Sequence, residues 1–425
     1  MFGPLCVGLG LMLSPRSLVL VGNGMGRAGD AYLLILLSWL VLFLFTAASY
    51  GRAAALFPGS AGEFECLRQA FGPISAIVFP FSARALFAIS VSTSLLAIAG
   101  YAFNEVFLPW FPNLAFSFCL LGLLVALNLT GPRTSEIAQK VFVGLASAGL
   151  LFLIGAGLLG PSGESPGSQP SGDFIIPIKT ILSGFVLFVG FDLIGVLGES
   201  RSRNILNPSR MMVAGLLLAG ALFILWGEIA ARHVSADRLS ETTVPHMVAS
   251  RAILGQTGRV VMGMIVLAGV SGAVNGLFIA IPKMIRGMIS LNLLPPFLGF
   301  GGKRFSIPLL LLAAGTAFMM GSGMAGEPIL QVYIRASLCL WLLHYAFFHL
   351  SLLQARRISE GEGRSQRPFA SLVIQGFSAA LFSIVFFGQL WYDENSGPLM
   401  RVIAVVLAIA AAGACSWTFF GMKKK

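Results

Sequence analysis

Long apolar runs separated by short polar segments make up most of the chain. A helix that crosses a bilayer needs about 20 consecutive apolar residues. Charge-free runs of that order occupy 31–51, 85–104, 106–132, 141–163, 260–282, 305–326, 336–355, 368–392 and 402–422. A shorter run at 211–227 ends at Glu228, and two more apolar regions, 1–26 and 177–198, are interrupted by charge and glycine.

This pattern predicts an all-α membrane protein with twelve transmembrane helices and no soluble domain. The helices are expected at 5–24, 31–52, 76–104, 114–130, 137–159, 177–198, 210–231, 257–281, 306–324, 328–352, 370–390 and 398–420. Composition agrees, since 56% of residues are hydrophobic and 11% are charged, against about 25% charged in ordinary soluble domains. An integral membrane protein that contacts lipid is therefore expected.

The net charge of +11 does not indicate a nucleic-acid partner, because the basic residues are concentrated in alternate loops between the predicted helices. Lys and Arg gather in the segments 52–68, 133–140, 201–210, 283–304, 356–367 and 423–425. The intervening loops 106–113, 160–176, 321–327 and 392–400 contain none. This positive-inside pattern predicts a multi-pass protein of the cell (inner or plasma) membrane with both termini in the cytoplasm. One loop, 231–259, is an exception, with four arginines on the predicted outer side.

Few residues suggest bound metals, cofactors or catalysis. The spacing of the five cysteines fits neither a disulfide framework nor a zinc site. His344 and His349 are five residues apart and are expected on different faces of a helix. No nucleophile–base pairing stands out. We therefore expect no metal, no cofactor and no enzymatic activity.

The interrupted helices, the first and the sixth, suggest how the chain is organised. If residues 1–160 and 177–353 are two repeats of five helices, these two helices correspond. Interrupted segments at matching positions of two halves indicate a transporter's binding site. The predicted transport core is thus 1–353, and residues 354–425 supply a cytoplasmic link, helices 11 and 12 and a basic tail.

The first helix carries "VGLGLMLSP", Val7 to Pro15. Glycines 8 and 10 weaken a helix by about 1 kcal/mol each relative to alanine. A break there would free backbone N–H groups that bind anions. The alternative is close packing of small residues between membrane helices.

The sixth helix reads "SGFVLFVGFDLIGVLGES", Ser183 to Ser200. A half-helix ending near Val189 would leave carbonyl groups for an ammonium ion. Asp192 would then begin the second half, either as its N-cap or as a protonatable gate facing a wet cavity. On helix 8, Ser271 and Asn275 share a face and either line the cavity or bond between helices. The intramembrane charges Arg84, Glu228 and Arg335 are expected to pair at interfaces or between helices.

Several motifs in order resemble those of the amino acid–polyamine–organocation (APC) permeases. The first-helix sequence and "FVGFD", Phe188 to Asp192, resemble the family's two signatures. Four further segments of this chain resemble motifs that follow in the same order in the family. They are 54–73 after helix 2, Glu199–Ser200, 207–210, and 273–298 around helix 8. Pro282–Lys283 replaces the usual Ser-Arg of the last segment.

The resemblance implies a LeuT-type fold, a 5+5 inverted repeat with helices 1 and 6 discontinuous, plus two extra helices. It places an α-carboxylate on N–H groups of residues 9 to 11 and an α-ammonium on carbonyls of helices 1 and 6, with Gly190 permitting the second break. Some relatives carry an acid tied to gating or proton linkage where Asp192 stands. The substrate-binding residues implied are Cys6, Val7, Gly8, Leu9, Gly10, Leu11, Phe188, Val189 and Gly190.

The predicted function is secondary active transport of amino acids, preferably neutral ones, by proton-linked symport or exchange. Substrate, lipid and protons are the expected partners, and the oligomeric state is open. A family lysine would fall on Ala146, and the first half-helix is short. These departures slightly favour the runner-up, a transport-inactive membrane scaffold or sensor, without displacing the prediction of a transporter. A permease for amines or polyamines is a further alternative.

Overall fold

The computed structural model of the chain describes residues 3–57, 62–161, 177–197, 208–299, 306–361 and 369–421, and these contain helices and connecting segments without any strand. The helices are α1 Gly3–Met12, α2 Pro15–Ala28, α3 Ala31–Leu56, α4 Gly62–Phe71, α5 Pro73–Val106, α6 Asn113–Thr130, α7 Pro132–Leu159, α8 Ile178–Ser183, α9 Leu193–Leu197, α10 Pro208–His233, α11 Ala236–Glu241, α12 Pro245–Ser290, α13 Ile307–Gly321, α14 Pro328–Gly361, α15 Phe369–Tyr392 and α16 Ser396–Ser416. The residues Glu199, Ser200 and Asn207 and the basic tail at 423–425 lie outside the described residues, as do residues 162–176 and 362–367 of the loops 160–176 and 355–367.

A helix occurs at each of the twelve predicted positions, but fewer are long enough to span a bilayer. In the described part of the chain, ten segments qualify by length and apolar composition, one of them the interrupted segment Ile178–Leu197 that contains α8 and α9. The number is eleven if the bent pair α1–α2 counts as one span. The remaining predicted span, α13, has 15 residues, so it is about 22 Å long. A bilayer interior is about 30 Å thick.

The structure adds helical segments that the hydrophobic pattern did not predict. α4 follows α3, with Glu63 and Glu65 in its first turn and Arg68 in its last turn, an arrangement that suits the helix dipole. α11 and the first turns of α12 fall in the predicted loop 231–259. A kink at Leu254 and Gly255, where Gly255 has φ 57°, separates those turns from the long membrane segment of α12.

Burial divides the bundle into central and peripheral helices. In their most apolar 18-residue windows, α12 and α14 have 83% and 78% of residues buried, against 17% in α16 and 22% in α6. The peripheral helices expose large apolar side chains such as Phe387 and Ile409. Such exposure suits contact with lipid and is rare on soluble proteins. The central helices α12 and α14, with α1 and the α8–α9 segment, therefore form the packed interior.

Candidate functional site

The first helix is interrupted, but later than its glycines suggested. α1 continues through Gly8 and Gly10 to Met12, and the chain bends by 47° before α2 begins at Pro15. Ser14 is extended, with φ −66° and ψ 155°. Proline has no amide hydrogen and restricts the preceding residue to extended conformations, so it sets the break. The expected break within residues 8–11 is therefore corrected to residues 13 and 14.

The predicted substrate residues of this helix lie inside α1. Val7, Leu9 and Leu11 are buried, and Cys6 is half-buried with its carbonyl accepting a 3.0 Å bond from Gln139 Nε2. Because the helix runs on past residue 11, the amides of residues 9 to 11 are not freed by the break in this conformation.

Gly8 and Gly10 allow α1 to pack closely against its neighbours. A Cβ on Gly8 would lie 2.6 Å from the Ile194 side chain, and one on Gly10 would lie 2.6 Å from Gln139 Nε2 and 3.0 Å from the Gly272 carbonyl oxygen. Real Cβ atoms do not approach other atoms so closely, so a larger residue at either position would force its neighbours to shift. In this conformation the two glycines therefore serve close packing between helices, which was the alternative interpretation.

The sixth helix is broken where its sequence indicated. α8 leads into a 3-10 turn at Gly184–Phe188, residues 189–192 are not helical, and α9 begins at Leu193. Gly190 has φ +98°, a conformation that L side chains rarely adopt. Phe188 and Val189 are buried beside it, and the Leu11 side chain occupies the space where a Cβ on Gly190 would lie. The two interrupted helices therefore face each other directly, with Leu11 and Ile194 filling the space between them.

Asp192 is fully buried and paired, rather than facing a wet cavity as expected. Its Oδ2 accepts a 2.5 Å bond from Arg84 Nη2 on α5, and its Oδ1 accepts a 2.9 Å bond from the Tyr345 hydroxyl on α14. Both carboxylate oxygens are thus engaged by side chains from other helices. Arg84 pairs between helices, as predicted for this intramembrane charge.

A second carboxylate completes this buried cluster. Glu63 on α4 accepts two bonds from Arg84, at 2.5 Å from Nη1 and 3.0 Å from Nη2. His344 Nε2 lies 3.7 Å from Glu63 Oε2, 3.4 Å from Arg84 Nη2 and 3.4 Å from the Tyr50 hydroxyl. Burial tends to raise the pKa of Glu63, but Arg84 and His344 together lower it to about 2. Two carboxylates therefore share one guanidinium, and the charge of the cluster is unbalanced while His344 is neutral.

Asn275 belongs to a polar network that ties α1 to α7 and α12. Its Nδ2 donates to Gln139 Oε1 at 2.8 Å, and its Oδ1 accepts a 2.7 Å bond from Asn128 Nδ2. Gln139 Nε2 in turn donates to the carbonyls of Cys6 and Gly272, at 3.0 and 2.9 Å. Asn275 therefore bonds between helices, the second of its two expected roles. Ser271 takes no part, because its hydroxyl bonds the Leu267 carbonyl of its own helix at 2.8 Å.

A cavity of about 540 Å³ opens beside this network, towards the end of the bundle that the charge pattern places in the cytoplasm. Gly3 and Val7 of α1, Gln139 of α7, and Lys283 and Arg286 of α12 are among its lining residues. α1 thus borders this cavity through Gly3 and Val7 and contacts Gly190 through Leu11.

The sequence did not indicate Glu63, His344, Tyr345 or Gln139 as part of the site. Glu63 lies outside the apolar runs, and the other three are single polar residues in apolar helices. One usable signal was the pair of unmatched intramembrane charges, Arg84 and Asp192. Within the described residues, no group of three or more His, Cys, Asp or Glu side chains could hold a metal ion.

Comparison with known proteins supports the assignment of the chain to a family. No curated protein matches the chain. The family model described as amino acid permease matches residues 1–413, a stretch that includes both interrupted helices and the buried cluster. The chain therefore belongs to the amino acid permease family, within the APC superfamily.

Proposed function

We propose that the chain is a secondary active transporter that moves amino acids, preferably neutral ones, by proton-linked symport or exchange. The amino acid would bind between the two interrupted helices, with its carboxylate on α1 and its ammonium on carbonyls of both. In the described conformation the Leu11 and Ile194 side chains fill that place. Binding therefore requires α1 and α9 to separate, which is the movement that alternating access provides.

The buried cluster around Arg84 carries the proposal of proton linkage. Asp192 immediately precedes α9, and its ion pair with Arg84 fastens this half-helix to α5. Moving α9 must disturb that pair, and a separated buried carboxylate is costly unless it takes up a proton. With two carboxylates for one arginine, the cluster can accept one proton without losing its last ion pair.

The test is uptake of labelled neutral amino acids into proteoliposomes, with and without an inward proton gradient. The wild type should respond to the gradient, and Asp192→Asn should respond less while exchange continues. Glu65→Gln is the matched control, because Glu65 lies on α4 but bonds Arg68 and Gln69, outside the cluster.

Other outcomes decide between the alternatives. A folded wild type that takes up no amino acid would favour a scaffold or sensor, and uptake of polyamines alone would favour an amine permease. An identical gradient response in Asp192→Asn and wild type would remove the acid from the coupling step.

We further propose that the protein lies in the cell (inner or plasma) membrane with both termini in the cytoplasm. The alternation of basic and non-basic loops supports this orientation. Single cysteines introduced in loop 160–176 should react with impermeant reagents from outside, and those in loop 355–367 only from inside. The reverse labelling pattern would invert the orientation.

A further inference from the structure

A second, larger cavity of about 910 Å³ lies at the opposite end of the bundle, beside α11 and the start of α12. The charge pattern places this end outside the cell. Pro15, the first residue of α2, lines it, so the cavity reaches the interruption of the first helix. Val19, Ile98, Val106 and Val266 add apolar wall. The cavity thus leads along apolar side chains to the break.

Arginines from the exceptional loop line the same cavity. Arg238, Arg251 and Arg259 all contribute to it, together with the single carboxylate of Glu105. Arg259 is matched, because its Nη2 donates to the carbonyl and the carboxylate of Glu105, both at 2.7 Å. In the part of the chain that the structure describes, Arg238 and Arg251 have no acidic partner. The cavity therefore carries excess positive charge at an end where the positive-inside rule predicts little.

His246 adds a buried polar side chain to the wall of the cavity. It lines the cavity, only 4% of its surface is exposed, and its Nδ1 has no hydrogen-bond partner among the described residues. Buried polar atoms without a partner are uncommon in native structures. Nδ1 is itself inaccessible, so a ligand in the cavity can reach the ring only through its other nitrogen, and a neutral imidazole that carries its proton there donates to an oxyanion.

We propose that this cavity binds a small carboxylate that bears an apolar side chain. Arg238 and Arg251 would attract the carboxylate, His246 would donate a hydrogen bond to it, and the apolar wall would take the side chain. The proposal rests on the proposed function, since this chemistry is that of an apolar amino acid. Such a site would collect amino acids ahead of the central break and reject amines that lack a carboxylate.

The test compares two analogues of leucine, each of which lacks one of its two charged groups. 4-Methylpentanoate keeps the carboxylate without the ammonium, and isopentylamine keeps the ammonium without the carboxylate. Calorimetry on the purified full-length protein should show binding of the acid and not of the amine. Arg238→Gln and Arg251→Gln should each weaken acid binding by about threefold to tenfold, the range for partly exposed charge-assisted contacts. Binding should also weaken with added salt.

Arg232→Gln is the matched control, because Arg232 is exposed at the end of α10 close to the cavity in sequence but does not line it. It removes the same charge from the same end of the bundle and should leave acid binding unchanged. Arg238 and Arg251 are themselves exposed, so their replacement should leave the fold intact.

Equal affinity for the acid in wild type and both arginine variants would overturn the proposal, as would tighter binding of the amine. Arginine-dependent binding of phosphatidylglycerol without binding of the acid would make the cavity a lipid-headgroup site and would equally overturn it. Leucine uptake distinguishes this inference from the proposed function. Uptake with an unchanged KM in both variants refutes the inference alone, whereas absence of uptake by the wild type refutes the proposed function.

Discussion

Arg84 and Asp192 form an ion pair in which both side chains are fully buried, although 108 positions separate them in the sequence. The pair joins the middle of α5 to the unwound part of the sixth helix. A buried ion pair costs much desolvation energy and is weak evidence for stability by itself. Here Arg84 also bonds a second carboxylate, that of Glu63. Removing Arg84 should therefore change the stability of the protein by a different amount than removing Asp192.

Arg84→Met should destabilise the protein far more than Asp192→Asn. The first change leaves two carboxylates buried without a cation, and removing one partner of a buried pair typically costs about 3–5 kcal/mol. The second change leaves Arg84 matched by Glu63 and keeps a hydrogen-bond acceptor for Tyr345, so the loss should stay near 1 kcal/mol. Thermal unfolding of the purified protein in detergent measures both.

The double variant Arg84→Met/Asp192→Asn provides the control for this comparison. It leaves one carboxylate uncompensated and should fall between the two single variants. Equal losses from Arg84→Met and Asp192→Asn would contradict the shared arrangement of two acids on one arginine.

Acid should destabilise the protein through Glu63. Because its pKa is lowered to about 2 from an ordinary 4.5, the carboxylate stabilises the fold fully above pH 4.5. That contribution, about 3 kcal/mol by linkage, is lost as pH falls from 4.5 towards 2. Thermal stability measured across this range should drop in the wild type and be flatter in Glu63→Gln. Glu228→Gln, which changes an exposed carboxylate on α10, should keep the wild-type slope, and a flat wild-type profile would refute the linkage.

The spans were predictable from the sequence because each depends on a local property, a long run without charge. The break near Gly190 was also visible, since a glycine that adopts positive φ is a local backbone requirement. The break of the first helix was misplaced because Pro15 outweighs Gly8 and Gly10, whose role depends on which side chains pack against them. That information lies in α7, α9 and α12, not in the motif.

Contacts between side chains of different helices could not be predicted from the sequence for the same reason. Charge alone marked Arg84 and Asp192 as expensive residues in a membrane. Only the three-dimensional arrangement shows that they meet each other, and that the short helix α4 brings Glu63 to the same place. The basic loop 231–259 looked like an exception to the topology, whereas the structure shows three of its arginines lining one cavity.

Gly8→Ala tests whether the contact between the two interrupted helices serves binding or packing. The new methyl group would overlap the Ile194 side chain, and overpacking of this kind costs about 1–3 kcal/mol. Ile194→Ala removes the atoms it would meet, so Gly8→Ala/Ile194→Ala should regain most of the stability of Ile194→Ala alone. If the substrate carboxylate approaches α1 here, transport should remain low in the double variant. Full recovery of transport would mean that Gly8 serves packing only.

The Gln139 side chain should hold α1 against α7 and α12, at the cavity that Lys283 lines. Its side-chain amide bonds the carbonyls of Cys6 on α1 and Gly272 on α12, so Gln139→Leu leaves both carbonyls without that donor. A buried polar group that loses its partner costs about 1–3 kcal/mol. We therefore expect α1 to separate from α7 and α12 more often in this variant.

The native cysteines report that separation of α1. Cys6 is half-buried on α1 and Cys66 is buried on α4, so peptide mass spectrometry can follow the alkylation of both by a maleimide in one sample. Gln139→Leu should speed alkylation of Cys6 severalfold and leave Cys66 unchanged, because opening is confined to α1. Ser271→Ala is the matched control, since the Ser271 hydroxyl bonds only its own helix among the contacts described. Faster alkylation of both cysteines would indicate general unfolding, and an unchanged rate at Cys6 would show that Gln139 does not restrain α1.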